Sequence, residues 1–529
     1  MNSPTLNSQK SEAELKPPLF TPPQPDEGSP VMAILVAVFV AFGGLLYGYD
    51  TGTISGIMTM GYVKEHFTDV GKTDFTSGQS SLITSILSVG TFTGAIVAPF
   101  AADTVGRRLG LLLYCVVFCI GAILQTVTTG RVLLIVGRVI AGMGVGGISS
   151  IVPLYQSEVS PKWIRGAVVS IYQFAITIGL LLAAVINNAT KDRPDTSSYR
   201  IPLGIQLIWA VILAAGLVVL PETPRFWVRK DNPEKAAESL SRLRRLPADS
   251  KAIQTELIEL QSSYQLELEA GNSSWAACFS PRASQLKRLL TGVAIQDLQQ
   301  LTGINFIFYY GTNFFKNAGI KDPFVVSMIT SAVNVAFTIP GILFVDKVGR
   351  RKLLLVGAVV MCVSEMIVAA VGTALDSQVS SKVLIAFTCT FIAGFASTWG
   401  PIAWVVVAEI FPLRLRAKGV AISVASNWIF NFAIAFATPY LVDDKPGSAG
   451  LGSKVFFIWG GCNFLAIVFV WFFVYETKGW SLEQVDEMYS EVPYAWRSHA
   501  FVPSVETVIR PGRVEVPPDH SFFDISDTD

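Results

Sequence analysis

The sequence predicts an all-α membrane protein: twelve transmembrane helices in two six-helix bundles, with further helices outside the membrane. Three observations carry this. Of the 529 residues, 51% are hydrophobic and 15% charged, against about 25% charged in soluble domains, and the mean hydropathy is +0.49. Apolar runs of spanning length, about 20 residues each, lie near 31–56, 81–102, 110–128, 132–156, 166–187 and 203–220, and again near 289–315, 324–345, 353–374, 383–411, 418–441 and 455–475. Charged motifs at the ends of these runs repeat in order. "DTVGRR" (Asp103–Arg108) returns as "DKVGRR" (Asp346–Arg351), "EVSPKWIRG" (Glu158–Gly166) as "EIFPLRLRAKG" (Glu409–Gly419), and "PETPR" (Pro221–Arg225) is echoed by "YETKG" (Tyr475–Gly479). Each return comes about 250 residues later, as in a duplicated unit.

Residues 1–30 are polar and proline-rich, with acidic residues where a signal peptide would be basic, so they are expected to form a disordered cytoplasmic N-terminus. Residues 31–220 form the first bundle. Residues 221–288 form a linker whose Leu and Ile recur at helical spacing over 233–246 and 251–270, among Glu, Lys and Arg. Residues 289–480 form the second bundle, and 481–529 a short amphipathic helix followed by a disordered tail. The linker carries Arg225, Arg229, Lys230, Arg282, Lys287 and Arg288 near its ends, which places it in the cytoplasm, with both termini.

Composition excludes several functions. Forty basic residues balance forty acidic ones, so nucleic acid is not an expected partner. The three histidines lie outside the apolar runs, so neither a metal site nor a cofactor is expected. The six cysteines suggest no disulfide framework, and no nucleophile–base pair points to an enzyme. The partners expected are the lipid bilayer and a small solute.

Inside the membrane an ionisable group costs about 2.5–3.5 kcal/mol even on lenient scales, so it needs a partner or a task. Asp50 in span 1 and Arg138 in span 4 are expected to pair. A carboxylate whose proton affinity depends on that arginine would suit proton coupling; a static ion pair is the other reading. Asp297 is turned about 200° from Gln299 on a helix, away from any face the glutamine lines. Glu365 has no partner evident in the sequence. Span 7 carries Gln299, Gln300, Thr302, Asn305 and Tyr309, with Gln299, Thr302, Asn305 and Tyr309 at three- and four-residue steps, and Gly303 softening the helix. Asn334 lies in span 8, Trp404 in span 10 after Gly400 and Pro401, Asn427, Trp428 and Asn431 in span 11, and Gln173 with Ile176 in span 5. One amide alone serves as glue between helices. Amides and rings on four spans of the second half suit a ligand of hydroxyls and apolar C–H faces.

Three stretches are specific: "YGYDTGTISG" in span 1, "QQLTGINFIFYYGT" in span 7 and "WGPIAWVVVAEIFPLRLR" in span 10. With the duplicated end motifs they resemble the sugar porter family of the major facilitator superfamily, over roughly residues 31–490, and look most like fungal hexose transporters. One departure is Tyr475, where the family usually has proline. The resemblance implies sugar contacts for Gln173, Gln299, Gln300, Asn305, Asn334, Trp404 and Asn431, with Ile176 beside them, and an extracellular gate at Tyr309 and Tyr310. It also implies a cytoplasmic latch of Asp103, Arg107, Arg108, Glu158, Arg165, Asp346, Arg350, Arg351, Glu409 and Arg416, joined by Glu222, Arg225 and Glu476. A plain charge anchor at the membrane surface is the alternative for the arginines. The function implied is hexose transport, glucose foremost, by alternating access in the plasma membrane, by a monomer, with proton symport. A facilitative uniporter or a transporter-like sugar sensor remains the alternative; sensor-like relatives carry long signalling tails, and the short tail here favours transport.

Overall fold

The computed structural model describes residues 29–69, 74–160, 165–269, 274–281, 284–317, 321–374, 378–412, 415–480 and 482–502. The disorder expected of residues 1–30 and of the tail after about Ser490 falls mostly on residues 1–28 and 503–529, outside this set; residues 492–502 instead form an ordered segment with a 3₁₀ turn, Ala495–Ala500, because Ala495, Ser498 and Phe501 are buried against the bundle. Every regular element among the described residues is a helix.

Eleven helices are long and apolar enough to cross a membrane. They are spans 1 to 6, Val31–Ile57, Ser77–Thr104, Arg107–Thr126, Arg131–Val159, Gly166–Thr190 and Ser197–Val219, and spans 8 to 12, Pro323–Val348, Arg350–Ala374, Lys382–Ile410, Lys418–Val442 and Gly452–Phe473. Span 7 supplies the twelfth crossing in two pieces, Gln285–Leu301 and Ile304–Asn317. The break is at Gly303, whose φ of +81° lies in the region L side chains avoid. The Phe306 N–H bonds the Gly303 carbonyl at 3.0 Å and so leaves the Thr302 carbonyl without its helical donor. The expected stripe of Gln299, Thr302, Asn305 and Tyr309 is therefore not one continuous face. Span 10 is interrupted too, between Gln378–Ser397 and Trp399–Ile410, at Thr398, two residues before the expected Gly400–Pro401.

Each half packs into its own bundle, with spans 2 and 4, 3 and 4, and 1 and 5 in contact in the first half, and 9 and 12, 9 and 10, and 8 and 10 in the second. The halves meet where span 2 lies on span 11 and span 5 on span 8. Leu113 and Val116 of span 3, Val211 of span 6, Val356 of span 9 and Leu465 of span 12 remain exposed, as apolar side chains facing hydrocarbon do.

The linker forms Pro224–Arg229, Pro233–Arg244, Lys251–Glu269 and a 3₁₀ turn, Trp275–Phe279; Leu482–Glu491 follows span 12. Pro233–Arg244 starts where Asn232 accepts the Lys235 N–H at 3.1 Å, and ends where Arg245 turns left-handed, with φ of +56°. Ala236, Leu240, Ile253 and Leu257 bury its apolar face with that of its neighbour. The Ser29 N–H bonds the Arg244 carbonyl at 3.0 Å, so the start of span 1 and the linker share one face, called here the loop side.

Candidate functional site

Two copies of one arrangement sit at the loop-side ends of the helices. The Glu222 carboxylate covers the N-terminus of span 3, accepting the Arg107 and Arg108 N–H groups at 3.0 and 3.0 Å. Glu476 does the same at span 9, accepting from Arg350 and Arg351 at 2.9 and 3.1 Å. These N–H groups have no partner within their own helices, and the helix dipole favours a negative charge there. Burial pushes the Glu222 carboxyl up, against the N–H groups that favour its charge. Gly106 and Gly349, with φ of +106° and +102°, bring the chain close enough; a Cβ would stand 2.4 Å from Glu222 and 2.5 Å from Glu476.

The arginine side chains complete the pattern. Arg107 donates to Glu158 at 3.0 Å, and Arg350 to Glu409 at 3.1 and 2.8 Å. Asp103 pairs with Arg229 at 2.6 Å and Arg107 at 3.7 Å, and Asp346 with Arg350 at 2.8 Å. Arg108 and Arg351 donate to the Leu220 and Trp471 carbonyls at 3.0 and 2.9 Å. Arg416 donates to the Phe411 carbonyl, 3.3 Å from both Nε and Nη2. Arg225 does not join: it makes no hydrogen bond or ion pair among the described residues, because the same short helix turns Phe226 inward under Arg107, and Arg229 reaches Asp103 instead. The Arg165 side chain lies outside the described residues. Its neighbour Gly166 sits against the other half, where a Cβ would stand 2.9 Å from Asp346. The halves are closed on this side.

Within the first bundle Asp50 and Arg138 meet at 3.6 Å with both side chains fully buried. No Asp50 oxygen and no Arg138 guanidinium nitrogen makes a hydrogen bond among the described residues. A buried pair so poorly bonded adds little net stability, but either charge left without the other would be costly. Asp297 accepts from Ser426 at 2.5 Å. Glu365 does have a partner: Asn463 of span 12 donates to it at 2.6 Å.

The amides converge between the halves. Gln300 donates to Asn427 at 3.0 Å, Asn427 to Gln296 and Gln299 at 2.8 and 3.1 Å, and Asn431 to Gln300 at 3.2 Å. Asn305 donates to the same Gln300 oxygen. Tyr309 and, from the first half, Ser88 donate to the Asn431 oxygen at 3.0 and 2.6 Å. Tyr310 donates to the Ala435 carbonyl at 2.7 Å. Gln299 commits both N–H bonds to the Trp399 and Gly400 carbonyls, in the first turn after the break in span 10, at 2.9 and 3.0 Å. Gln173 faces the same break, 3.5 Å from where a Gly400 Cβ would stand. Rings meet edge to face across the halves, Tyr47 with Trp428 at 5.2 Å and Tyr172 with Trp404 at 6.1 Å. Ile176 packs on span 1, its carbonyl 2.0 Å from where a Gly48 Cβ would be. Asn334 is buried, and neither end of its amide has a partner among the described residues.

The side opposite the loop is closed as well. Ser77 and Ser448 hydroxyls stand 2.8 Å apart, Ser81 donates to the Phe436 carbonyl at 2.7 Å, and Lys445 to the Phe75 carbonyl at 2.7 Å. Partial burial raises the Asp74 carboxyl, but Lys64 at 2.9 Å and Lys445 at 3.6 Å hold it below its ordinary range, so this contact is ionised at neutral pH. The polar cluster is thus sealed from both faces.

The profile of the family described as "Sugar (and other) transporter" matches residues 36–489. The chain belongs to this family. As a sugar transporter of the major facilitator superfamily it is a multi-pass membrane transporter and not an enzyme. It is 52% identical over 493 residues to the major facilitator-type transporter ecdD of Aspergillus rugulosus, covering 90% of this chain and 91% of that one. It is 48% identical to the probable glucose transporter rco-3 of Neurospora crassa, over 90% and 82%. It is also 48% identical to the high glucose sensor RGT2 of Saccharomyces cerevisiae, over 88% of this chain and 62% of the sensor's length. Among solved structures, the proton:xylose symporter XylE bound to 6-bromo-6-deoxy-D-glucose matches with a TM-score of 0.74 at 25% identity, over 87% and 100%. The inward open conformation of XylE from E. coli matches with 0.67 at 26% identity, over 86% and 99%.

Sequence reasoning missed several members of the cluster. Gln296 stands one helical turn before Gln300, a spacing that was legible. Tyr47 and Tyr172 sit in apolar runs where rings are ordinary. Ser88 carried no signal, since a serine in a membrane helix usually bonds its own backbone.

Proposed function

We propose that this transporter carries a monosaccharide, a hexose with glucose foremost, across the plasma membrane by alternating access and in symport with a proton. The observation that carries the reading is the sealed set of neutral amides and rings drawn from both halves. Neutral groups are cheaper to desolvate in each cycle than charges, and rings suit the C–H faces of a sugar. In this reading Gln173, Gln300, Asn305, Asn334, Asn431 and Trp404 hold the sugar, while Gln299 and Ile176 support its walls. Tyr309 and Tyr310 close the outer side. The charged network of Asp103, Arg107, Arg108, Glu158, Glu222, Asp346, Arg350, Arg351, Glu409 and Glu476 closes the loop side, with Arg165 and Arg416 at its margin. The basic ends of the linker orient the loop side to the cytoplasm. One chain holds both halves, so a monomer suffices.

Asp50 is the proton carrier in this scheme. When neutral it releases Arg138, and the pair's loose geometry makes that exchange accessible. A proton drives the cycle only if its affinity differs between outward and inward forms. The names of relatives, a glucose transporter and a proton:xylose symporter among them, support the same assignment.

A second reading is favoured by the identity to a glucose sensor: binding without useful flux. The deciding experiment is uptake of labelled sugars by cells lacking their own carriers, with and without a proton uncoupler. Expected are saturable glucose uptake and uphill accumulation that the uncoupler and Asp50→Asn both abolish, exchange down the gradient surviving. A surface-expressed protein that moves no sugar overturns transport. One that equilibrates glucose without ever concentrating it overturns symport and leaves Asp50 a structural partner of Arg138.

A further inference from the structure

Glu365 is an acid in the middle of span 9 for which neither the amide cluster nor the charged network has a use. It is fully buried, and no cationic side chain pairs with it among the described residues. Its bond is to Asn463 of span 12, at 2.6 Å. Asn463 is fully buried too, and the same Nδ2 stands 3.3 Å from the Trp459 carbonyl of its own helix and 3.5 Å from the Thr302 carbonyl, the group orphaned by the break in span 7. In a bilayer such a carbonyl finds no water, so a side chain must answer it. One turn before Asn463, the Trp459 ring lies against the break from the side; a Cβ on Gly303 would stand 2.6 Å from Trp459 Cγ.

We propose that Glu365 and Asn463, with Trp459, brace the break in span 7 and act as positioning residues for the sugar site. Glu365 touches none of the cluster amides. It fixes the rotamer of Asn463, and Asn463 answers the Thr302 carbonyl. That sets the angle between the lower piece of span 7, which carries Gln299 and Gln300, and the upper piece, which carries Asn305 and Tyr309. Gln300 and Asn305 share a hydrogen bond across this break, so a change of angle separates groups that must act together. The brace requires an acceptor at position 365, not a charge.

The inference rests on the proposed sugar site, and kinetics of the full-length protein in carrier-free cells separate the two: if the wild type takes up no sugar the site reading fails, whereas variants matching an active wild type fail the brace alone. Glu365→Ala and Asn463→Ala are each expected to raise the half-saturation concentration for glucose about three- to tenfold, the worth of one buried hydrogen bond, with the maximal rate per surface copy little changed. Glu365→Gln keeps the acceptor and is expected to restore wild-type kinetics and pH profile. The double variant is expected to be no worse than either single, because both remove one link. If Glu365→Ala does not reach the membrane, Glu365→Asp, one methylene short of Asn463, gives the same shift. The brace is overturned if Glu365→Gln is as impaired as Glu365→Ala, if the two alanine effects add, or if all variants match the wild type. A flattened pH profile in Glu365→Gln would make Glu365 a proton site instead.

Discussion

Gln300 and Asn334 are both buried amides, and they differ in what surrounds them. The Gln300 oxygen accepts from Asn305 and Asn431 while its nitrogen donates to Asn427. Asn334 has no such partner among the described residues. Loss of a satisfied buried group leaves its partners unsatisfied, at about 1–3 kcal/mol; loss of an unpartnered one does not. Gln300→Ala is therefore expected both to lower the melting temperature in detergent and to raise the half-saturation concentration. Asn334→Ala is expected to weaken uptake about tenfold or more while melting holds, since a lost contact worth 1.4 kcal/mol is a factor of ten. Normal uptake by a surface-expressed Asn334→Ala would remove that residue from the sugar site. Both amides stand out in the sequence because polar groups in apolar runs are conspicuous, but which of them was already satisfied depends on partners such as Asn427, more than a hundred residues away.

At the scale of helices, the ends were far more legible than the breaks. Asp103, Arg107, Glu158 and Glu222 announce themselves as charges bounding apolar runs, and their second copies confirm the pattern. The structure adds the reason for Gly106 and Gly349. Gly349→Ala places a methyl group 2.5 Å from the Glu476 carboxylate at a φ of +102°. Backbone strain of this kind costs about 1–3 kcal/mol before the clash is counted. Lower thermal stability in detergent is expected for Gly349→Ala, and an equal loss for Gly106→Ala, which faces Glu222 in the same way. An unchanged melting curve for both would mean that the carboxylates do not depend on the close approach. Arg225 shows the limit of reading motifs, for its place beside Glu222 suggested a role that the turn of its helix denies it. The breaks at Gly303 and Thr398 were less accessible still, because each packs against side chains from other helices, Asn463 in one case and Gln299, just past the break, in the other.

For the whole molecule, duplication made the two halves readable, but the sequence carries no record of which conformation is populated. The structure has both faces closed around the amide cluster, by Gly166 against Asp346 on the loop side and by Ser77, Ser81 and Lys445 on the other. Alternating access requires these closures to open in turn. Ser77 and Ser448 belong to different halves, and their hydroxyl oxygens are 2.8 Å apart, close enough for cysteines there to form a disulfide. The most direct test is glucose uptake by Ser77→Cys/Ser448→Cys before oxidation, after oxidation and after reduction, with each single variant as control. Rocking halves predict that the oxidised double variant loses nearly all uptake, that reduction restores it, and that the single variants are unaffected. Full uptake by a completely cross-linked protein would contradict a cycle in which the two halves separate on this side.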